Sequence, residues 1–321
     1  MIQQTTPILY GVFTDLLVIQ KYVQYLKEIY EREEVSIMPK NASVFQQKLI
    51  EHFTNTVLME LPTEYFKYDV FIGSQNDVGI VELQEFIKRN NLQLHVSLKP
   101  PGAVMENLTT VAVFEYIQKW PDRYRTRHHT YTVAQERSFT GNALEVNGFL
   151  LSNVSVGRNA DGICVSARID MGGGVVVTLT NIDAFENWKH FLRSSAHYGK
   201  LLGLVFPELE YIQDGYLCAP TVDCKNHSID HLKYMVFMVG RRQKGVIIES
   251  EMHAQLQLSK DGIRAYSETT ARSGSLGGGH PHLIPEKTCF IDMGLVLSIT
   301  YQNELIFTAF VPQQSFQTRA Y

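Results

Sequence analysis

Residues 164–182 read CVSARIDMGGGVVVTLTNI, and this stretch decides the fold class of the larger part of the chain. Two runs rich in β-branched and apolar residues, 164–169 and 175–179, flank a glycine triplet at 172–174. Such runs favour strands, and glycine supplies the positive φ angles that tight turns require. A phosphate-binding loop would need a following helix and a Gly-Lys-Ser/Thr ending, which are absent from this stretch. We therefore predict a β-hairpin here.

Short apolar runs separated by turn residues continue on both sides of this hairpin. Residues 184–202 are the exception, because their apolar side chains recur at helical spacing. The remaining pattern predicts strands at 234–239, 246–258, 263–269, 289–300 and 305–311, with hairpin turns at 241–245 and 260–262. Residues 126–321 are therefore predicted to form a β-rich, antiparallel part with one long helix.

The first 125 residues show a different pattern, in which helical and extended segments alternate. The spacing of apolar residues predicts helices at 12–33, 44–58, 78–89 and 104–120, and strands at 68–72 and 92–98. This alternation is typical of an α/β unit. We therefore predict an α+β protein: an α/β domain at 1–125, followed by a larger β-rich domain at 126–321, with the boundary within residues 121–129.

Composition excludes several classes of protein. The 321 residues carry a net charge of −4, with 19% charged and 45% hydrophobic residues, which excludes a disordered tail or a polybasic coat protein. No apolar run is long enough to span a membrane, and residues 1–4 do not begin a signal peptide. Four cysteines without a signal peptide indicate reduced thiols. We therefore expect an intracellular protein (cytoplasm or nucleus) or a virion component, not a secreted one.

Cys218, Cys224, His227 and His231 fall within 14 residues as C-x5-C-x2-H-x3-H. Zinc binds four thiolate or imidazole ligands in a tetrahedron, so this group is a candidate structural zinc site, and otherwise no cofactor is expected. A helix that starts at 228–233 would place the two histidines on one face. The alternative is a loop with half-buried cysteines and solvated histidines, because the cysteine spacing differs from that of common zinc fingers.

A second group combines cations with aromatic rings between Trp120 and Tyr131. Arginine pairs with phosphate and aromatic rings stack on bases, so this pattern is typical of a single-strand nucleic-acid surface. The candidate nucleic-acid-binding residues are Arg123, Arg125, Arg127, His128 and His129. The alternative is an interdomain connector with solvated arginines, which the negative net charge favours.

No sequence motif of a known catalytic class is present, since both the Gly-x-Ser-x-Gly elbow and the Walker motif are absent. Cys289 with His280 is the remaining candidate for a nucleophile and its base, as in a hydrolase or transferase of unknown substrate. The alternative is that Cys289 is a buried structural residue that follows a flexible loop and takes no part in catalysis.

The low charge fraction and the many short strands favour a protein whose surface is covered by partners. We therefore expect a non-enzymatic structural or assembly subunit of a larger intracellular or viral particle. Protein partners in an oligomer or hetero-complex are expected, nucleic acid is not favoured, and no membrane contact is expected. The alternatives are a zinc-stabilised binding module that contacts nucleic acid and the hydrolase or transferase.

Overall fold

The computed structural model describes residues 7–31, 34–39, 60–74, 77–92, 108–134, 143–181, 209–229, 232, 235–247, 250–267 and 287–318. Two α-helices lie in these ranges: α1 (Val12–Tyr30) and α2 (Asp77–Asn90). The strands are β1 (Ile8–Tyr10), β2 (Val35–Pro39), β3 (Phe66–Ser74), β4 (Leu108–Lys119), β5 (Thr126–Ala134), β6 (Ala143–Arg158), β7 (Cys164–Gly172), β8 (Val175–Asn181), β9 (Glu210–Pro220), β10 (Val222–Ile229), β11 (Met235–Val239), β12 (Arg242–Val246), β13 (Glu251–Ser259), β14 (Gly262–Ser267), β15 (Thr288–Phe290), β16 (Gly294–Tyr301) and β17 (Glu304–Pro312).

The largest sheet has nine strands in the order β1-β17-β16-β8-β7-β6-β9-β15, and β5 pairs with the other end of the long strand β6. The hairpin predicted at 164–182 is confirmed: β7 and β8 pair antiparallel, with Ser166 opposite Thr180. Its turn requires glycine, because Gly172, Gly173 and Gly174 have φ angles of 89°, 60° and 86°.

Two smaller antiparallel sheets complete the described structure. The five-stranded sheet has the order β10-β13-β14-β4-β3, and the three-stranded sheet has the order β12-β11-β2. The hairpin turn predicted at 260–262 joins β13 to β14 and is confirmed. The hairpin predicted around 241–245 also forms, between β11 and β12, but its turn lies at 240–241 because Arg242 already begins β12.

Aromatic side chains join the five-stranded sheet to its neighbours. Phe13 of α1 lies 5.3 Å from the ring of Tyr68 and 5.9 Å from Phe114, measured between ring centroids. Phe66 of β3 contacts Phe114 on the same sheet and Tyr301 of the nine-stranded sheet, at 5.8 Å and 6.0 Å. These rings belong to, or pack against, one large apolar core that runs between the sheets.

The predicted fold class is wrong, because the described structure is mostly β-sheet and contains only two helices. The error centres on residues 104–120, predicted as a helix: residues 108–119 form β4, which pairs antiparallel with both β3 and β14. The helices predicted at 12–33 and 78–89 are confirmed as α1 and α2. The elements predicted at 44–58, 92–98 and 184–202 lie outside the described residues.

The misreading of β4 has a physical cause. Val111 and Val113 are buried against α2, while Phe114 and Tyr116 are buried on the opposite face of the sheet. A strand covered on both faces loses the alternation of apolar and polar residues, and its apolar residues then match helical spacing by coincidence.

The predicted domain boundary at 121–129 stays a prediction. The large core contains Phe13, Phe66 and Phe114 together with Val146 and Leu297, which lie on opposite sides of that boundary. Neither described helix combines the length and apolar character that crossing a membrane requires.

Because β4 is a strand, truncating Phe114 and truncating Ile117 should lower the free energy of unfolding by different amounts. In a helix these two residues would share one face, and the losses would be similar. Phe114→Ala should lower the free energy of unfolding by about 3–5 kcal/mol, since its side chain is fully buried. Ile117→Ala should cost about 1 kcal/mol or less, because Ile117 is 51% exposed on the other face. Urea denaturation measures both, and equal large costs would contradict the strand.

Candidate functional site

The predicted zinc ligands are distributed over two sheets. Cys218 lies in β9, opposite Leu150 of β6, whereas Cys224 lies in β10, opposite Leu256 of β13. The helix predicted to start at 228–233 is wrong in its first residues, because β10 continues to Ile229. His227 is therefore on a strand, with its backbone opposite His253.

Both cysteines are poor thiolate donors where they lie. Burial raises the pKa of Cys218 to about 12, and burial raises that of Cys224 to about 12 as well. Zinc binds the thiolate, so these environments oppose metal binding. Within the described ranges, no three His, Cys, Asp or Glu side chains are placed to hold a metal ion. The His227 side chain and His231 lie outside the described residues, and the zinc site stays a prediction.

The five residues predicted to bind nucleic acid do not form one surface. Arg123 donates to Asp170, 2.8 Å away, and its guanidinium lies 5.1 Å from the Tyr124 ring centroid. Hydrogen bonding with Tyr124, and then the charge of Asp170, raises the pKa of Arg123. This arginine is therefore engaged in an ion pair at the surface, with its side chain 52% exposed.

The other four candidates lie on or beside β5. Arg125, Arg127 and His128 are exposed, while His129 stacks on Tyr131 with ring centroids 6.1 Å apart. Because neighbouring side chains on a strand point to opposite faces, His128 is turned away from Arg127 and His129. Nucleic-acid contact through Arg123, Arg125, Arg127, His128 and His129 stays a prediction.

Cys289 of β15 is fully buried. Burial first, and then the proximity of Cys164, Asp292 and Cys218, raises the pKa of Cys289 well above its usual value. A nucleophilic cysteine needs the opposite shift. His280 lies outside the described residues. The described surroundings of Cys289 are therefore those of a structural thiol.

Sequence reasoning did not find the cleft that the fold builds between α1, β3 and α2. It has a volume of about 420 Å³ and is lined by Lys21, Val70, Phe71, Ile72, Glu82, Glu85, Phe86 and Arg89. The strand contributes consecutive residues, which point to alternate faces of the sheet. The cleft therefore wraps around one edge of β3 and has one helix on each side.

Alternation along β3 positions the two helices. Phe71 faces α2, where its ring lies 5.6 Å from that of Phe86. Tyr68 faces the other side, where it meets Phe13 of α1. Each helix is therefore fixed to its own face of the sheet by an aromatic contact, and the edge between them stays accessible.

The backbone of β3 forms the floor of the cleft. Among the described residues, β3 pairs with β4 alone and ends its sheet. The amide of Val70 donates to Asp69 Oδ1 at 2.9 Å, which indicates that this amide points away from β4. Because backbone groups alternate in direction along an antiparallel strand, Tyr68 and Ile72 present theirs to the same open side.

Asp69 is held in place as a cap on this edge. Its Oδ2 accepts hydrogen bonds from Arg89 at 2.7 Å and from Asn90 at 3.0 Å. Partial burial alone would raise its pKa, but the hydrogen bonds from Asn90, Arg89 and Val70 outweigh it, and the pKa of Asp69 is lowered. Charged side chains at sheet edges discourage indiscriminate strand pairing, and Asp69 has that position here.

The α2 wall carries negative charge and exposed apolar groups. Val78, Glu82, Glu85 and Arg89 recur at spacings of four, three and four and therefore share one face of the helix. Val78 is 67% exposed, and Val81 is 54% exposed. Among the described residues, only Arg89 of this face has an ion-pair partner. The two exposed valines on a surface helix are the sequence signal that could have indicated the site.

No protein-family model and no curated protein matches this sequence. Solved structures align over nearly the whole chain, but with weak similarity. Serpin48 of the insect Tenebrio molitor has a TM-score of 0.48 and 8% identity, covering 93% of this chain and 97% of its own. Cleaved Serpin 42Da has a TM-score of 0.48 and 8% identity, with 94% and 96% covered. Human thyroxine-binding globulin, complexed with thyroxine, has a TM-score of 0.43 and 9% identity, with 94% and 96% covered.

These neighbours correct two predictions. The description as a structural protein, assembly subunit or virion component is wrong, because the aligned proteins are serpins and a thyroxine-binding globulin. The predicted location inside a cell or virion, with secretion excluded, also conflicts with these neighbours. The four free cysteines, on which that location partly rested, are all buried, and burial alone keeps thiols apart from oxidants. At TM-scores below 0.5, no activity or ligand is transferred to this chain.

Burial predicts that the four cysteines are unreactive in the folded protein. Ellman's reagent at pH 8 should modify none of them on the timescale in which it modifies all four in guanidinium chloride, since every thiol is buried. Adding a zinc chelator should leave this protection unchanged. Chelator-dependent exposure of Cys218 and Cys224 would instead support the zinc site.

The lowered pKa of Asp69 predicts a pH-dependent contribution to stability. A carboxyl group whose pKa is lowered by folding stabilises the protein above its unfolded pKa of about 3.9, and this contribution is lost as pH falls through the folded pKa. The urea midpoint of Asp69→Asn should therefore lie below that of the wild type at pH 6, and the gap should shrink at pH 2.5. Asp161→Asn, in an exposed turn, controls for loss of one charge. A gap that is independent of pH would contradict the role of Asp69.

Proposed function

We propose that this protein is a non-enzymatic binding protein that holds part of a protein partner in the cleft between α1, β3 and α2. The observation that supports this proposal best is the edge of β3 at the floor of that cleft, which pairs with no strand among the described residues. Open strand edges are templates for pairing with another chain. The sequence had indicated protein partners from its low charge fraction, and the cleft supports that expectation.

The exposed valines of α2 add to the case. Val78 and Val81 expose apolar surface beside the cleft, where burial by a partner would release water from it. Together with the charged lining, the two valines give a partner both apolar and charged groups to contact.

The chemistry of the described thiols supports binding over catalysis. Cys218, Cys224 and Cys289 all have raised pKa values, so each is held as the protonated thiol. The cleft itself contains carboxylates and cations, but its geometry offers a docking surface open to solvent rather than an enclosed reaction chamber.

Site-specific photo-crosslinking tests this proposal. A photoreactive phenylalanine analogue at Val78 should crosslink to one protein partner in extracts of the source cells or fluid, because a partner in the cleft would cover this residue. The same analogue at Ile163, which is 59% exposed in a turn of the nine-stranded sheet, is the matched control. A discrete adduct at Val78 and none at Ile163 is expected, and equal labelling at both positions, or none at either, would contradict the proposal.

A further inference from the structure

We infer that the cleft takes its occupant as an added β-strand on β3, and that this occupant is an extended peptide segment carrying lysine or arginine. The inference rests on the proposed function and specifies the chemistry of the partner. It follows from three features of the described residues: the direction of the β3 backbone groups, the charge of the α2 wall and the cap formed by Asp69.

The backbone groups of β3 select an extended chain. Tyr68, Val70 and Ile72 present their peptide groups to the open side, so that successive groups are about 7 Å apart along the strand. Another extended chain repeats its own donors and acceptors at this spacing, whereas a helix satisfies its backbone groups internally. Strand addition is therefore the binding mode that the floor of the cleft favours.

Asp69 determines where along β3 the added strand bonds. Its carboxylate already accepts the Val70 amide and is itself fixed by Arg89 and Asn90. The amide of Ile72, which also lines the cleft, has no such cap among the described residues. The hydrogen bonds of the incoming strand are therefore centred on Ile72.

The α2 wall selects positive charge. The charges of Asp69 and Arg89 offset each other across their 2.7 Å ion pair. Glu82 and Glu85 remain on the same helix face, while Lys21 lies on the α1 side. Alternate side chains of an added strand would face α2, and lysine or arginine at those positions would meet the two glutamates. Ion pairs at such an exposed site are weak individually and are screened by salt.

The test uses the full chain and a fluorescent ten-residue peptide of alternating lysine and valine. Fluorescence anisotropy should detect binding that weakens as sodium chloride is raised from 50 to 500 mM. A matched peptide with glutamate in place of lysine should bind about tenfold more weakly or not at all. Equal binding of the two peptides would overturn the charge assignment.

Two pairs of variants separate backbone from side-chain recognition. Ile72→Pro removes the outward amide, and strand edges tolerate proline at such positions, so it should reduce affinity at least tenfold. Ile72→Ala keeps the amide and should stay within about threefold of the wild type. Glu82→Gln with Glu85→Gln should weaken binding about three- to tenfold, whereas Asp161→Asn should leave it unchanged. Equal losses in Ile72→Pro and Ile72→Ala would overturn strand addition.

Amide hydrogen exchange of the wild-type protein gives a measurement that needs no variant. The lysine–valine peptide should slow exchange at Ile72 more than at the neighbouring amide of Phe71, which faces β4. Uniform protection, or none, would overturn strand addition even if Ile72→Pro fails to fold. If the peptide does not bind while the Val78 crosslink still forms, strand addition fails and the proposed function stands. If the crosslink is also absent, both fail.

Discussion

The contact of Phe66 with rings from two sheets is the interaction on which the rest of the described structure depends. Phe66 lies at the start of β3, where it packs on Phe114 and Tyr116 of its own sheet and on Tyr301 of the nine-stranded sheet. Phe13 of α1 extends this cluster from the helix side. Because these rings are buried together, the five-stranded sheet cannot shift without opening the large core.

This constraint also creates the candidate site. One face of β3 packs against the aromatic cluster and α1, and the other face packs against α2 through Phe71 and Phe86. Both faces are thus covered, and among the described residues the edge is the part of the strand left for recognition. Asp69 reduces the number of backbone groups available at this edge, because its carboxylate already accepts a hydrogen bond from the Val70 amide. The cleft is a consequence of how the strand is packed.

The candidate site could be predicted only in fragments. The spacing of apolar residues identified α1 and α2, and the strand at 68–72 was found within β3. The edge position of β3 was not predictable, because it depends on pairing with β4. The sequence of β4 has apolar residues on both faces, and their spacing predicted a helix instead. The cysteine and histidine spacing suggested one metal site, yet β9 and β10 place Cys218 and Cys224 in different sheets. Residues close in sequence are not close in space where one strand ends and the chain continues in another sheet.

The sequence by itself determined local elements, namely the glycine-triplet hairpin of β7 and β8 and the two described helices. These follow from interactions within a few residues, namely turn geometry and the period of apolar side chains. Only the tertiary structure decided that β4 is a strand, that burial raises the pKa of Cys218, Cys224 and Cys289, and that β3 is an edge of its sheet among the described residues. Each of these depends on burial by residues far along the chain, and burial is set by packing that local spacing does not encode.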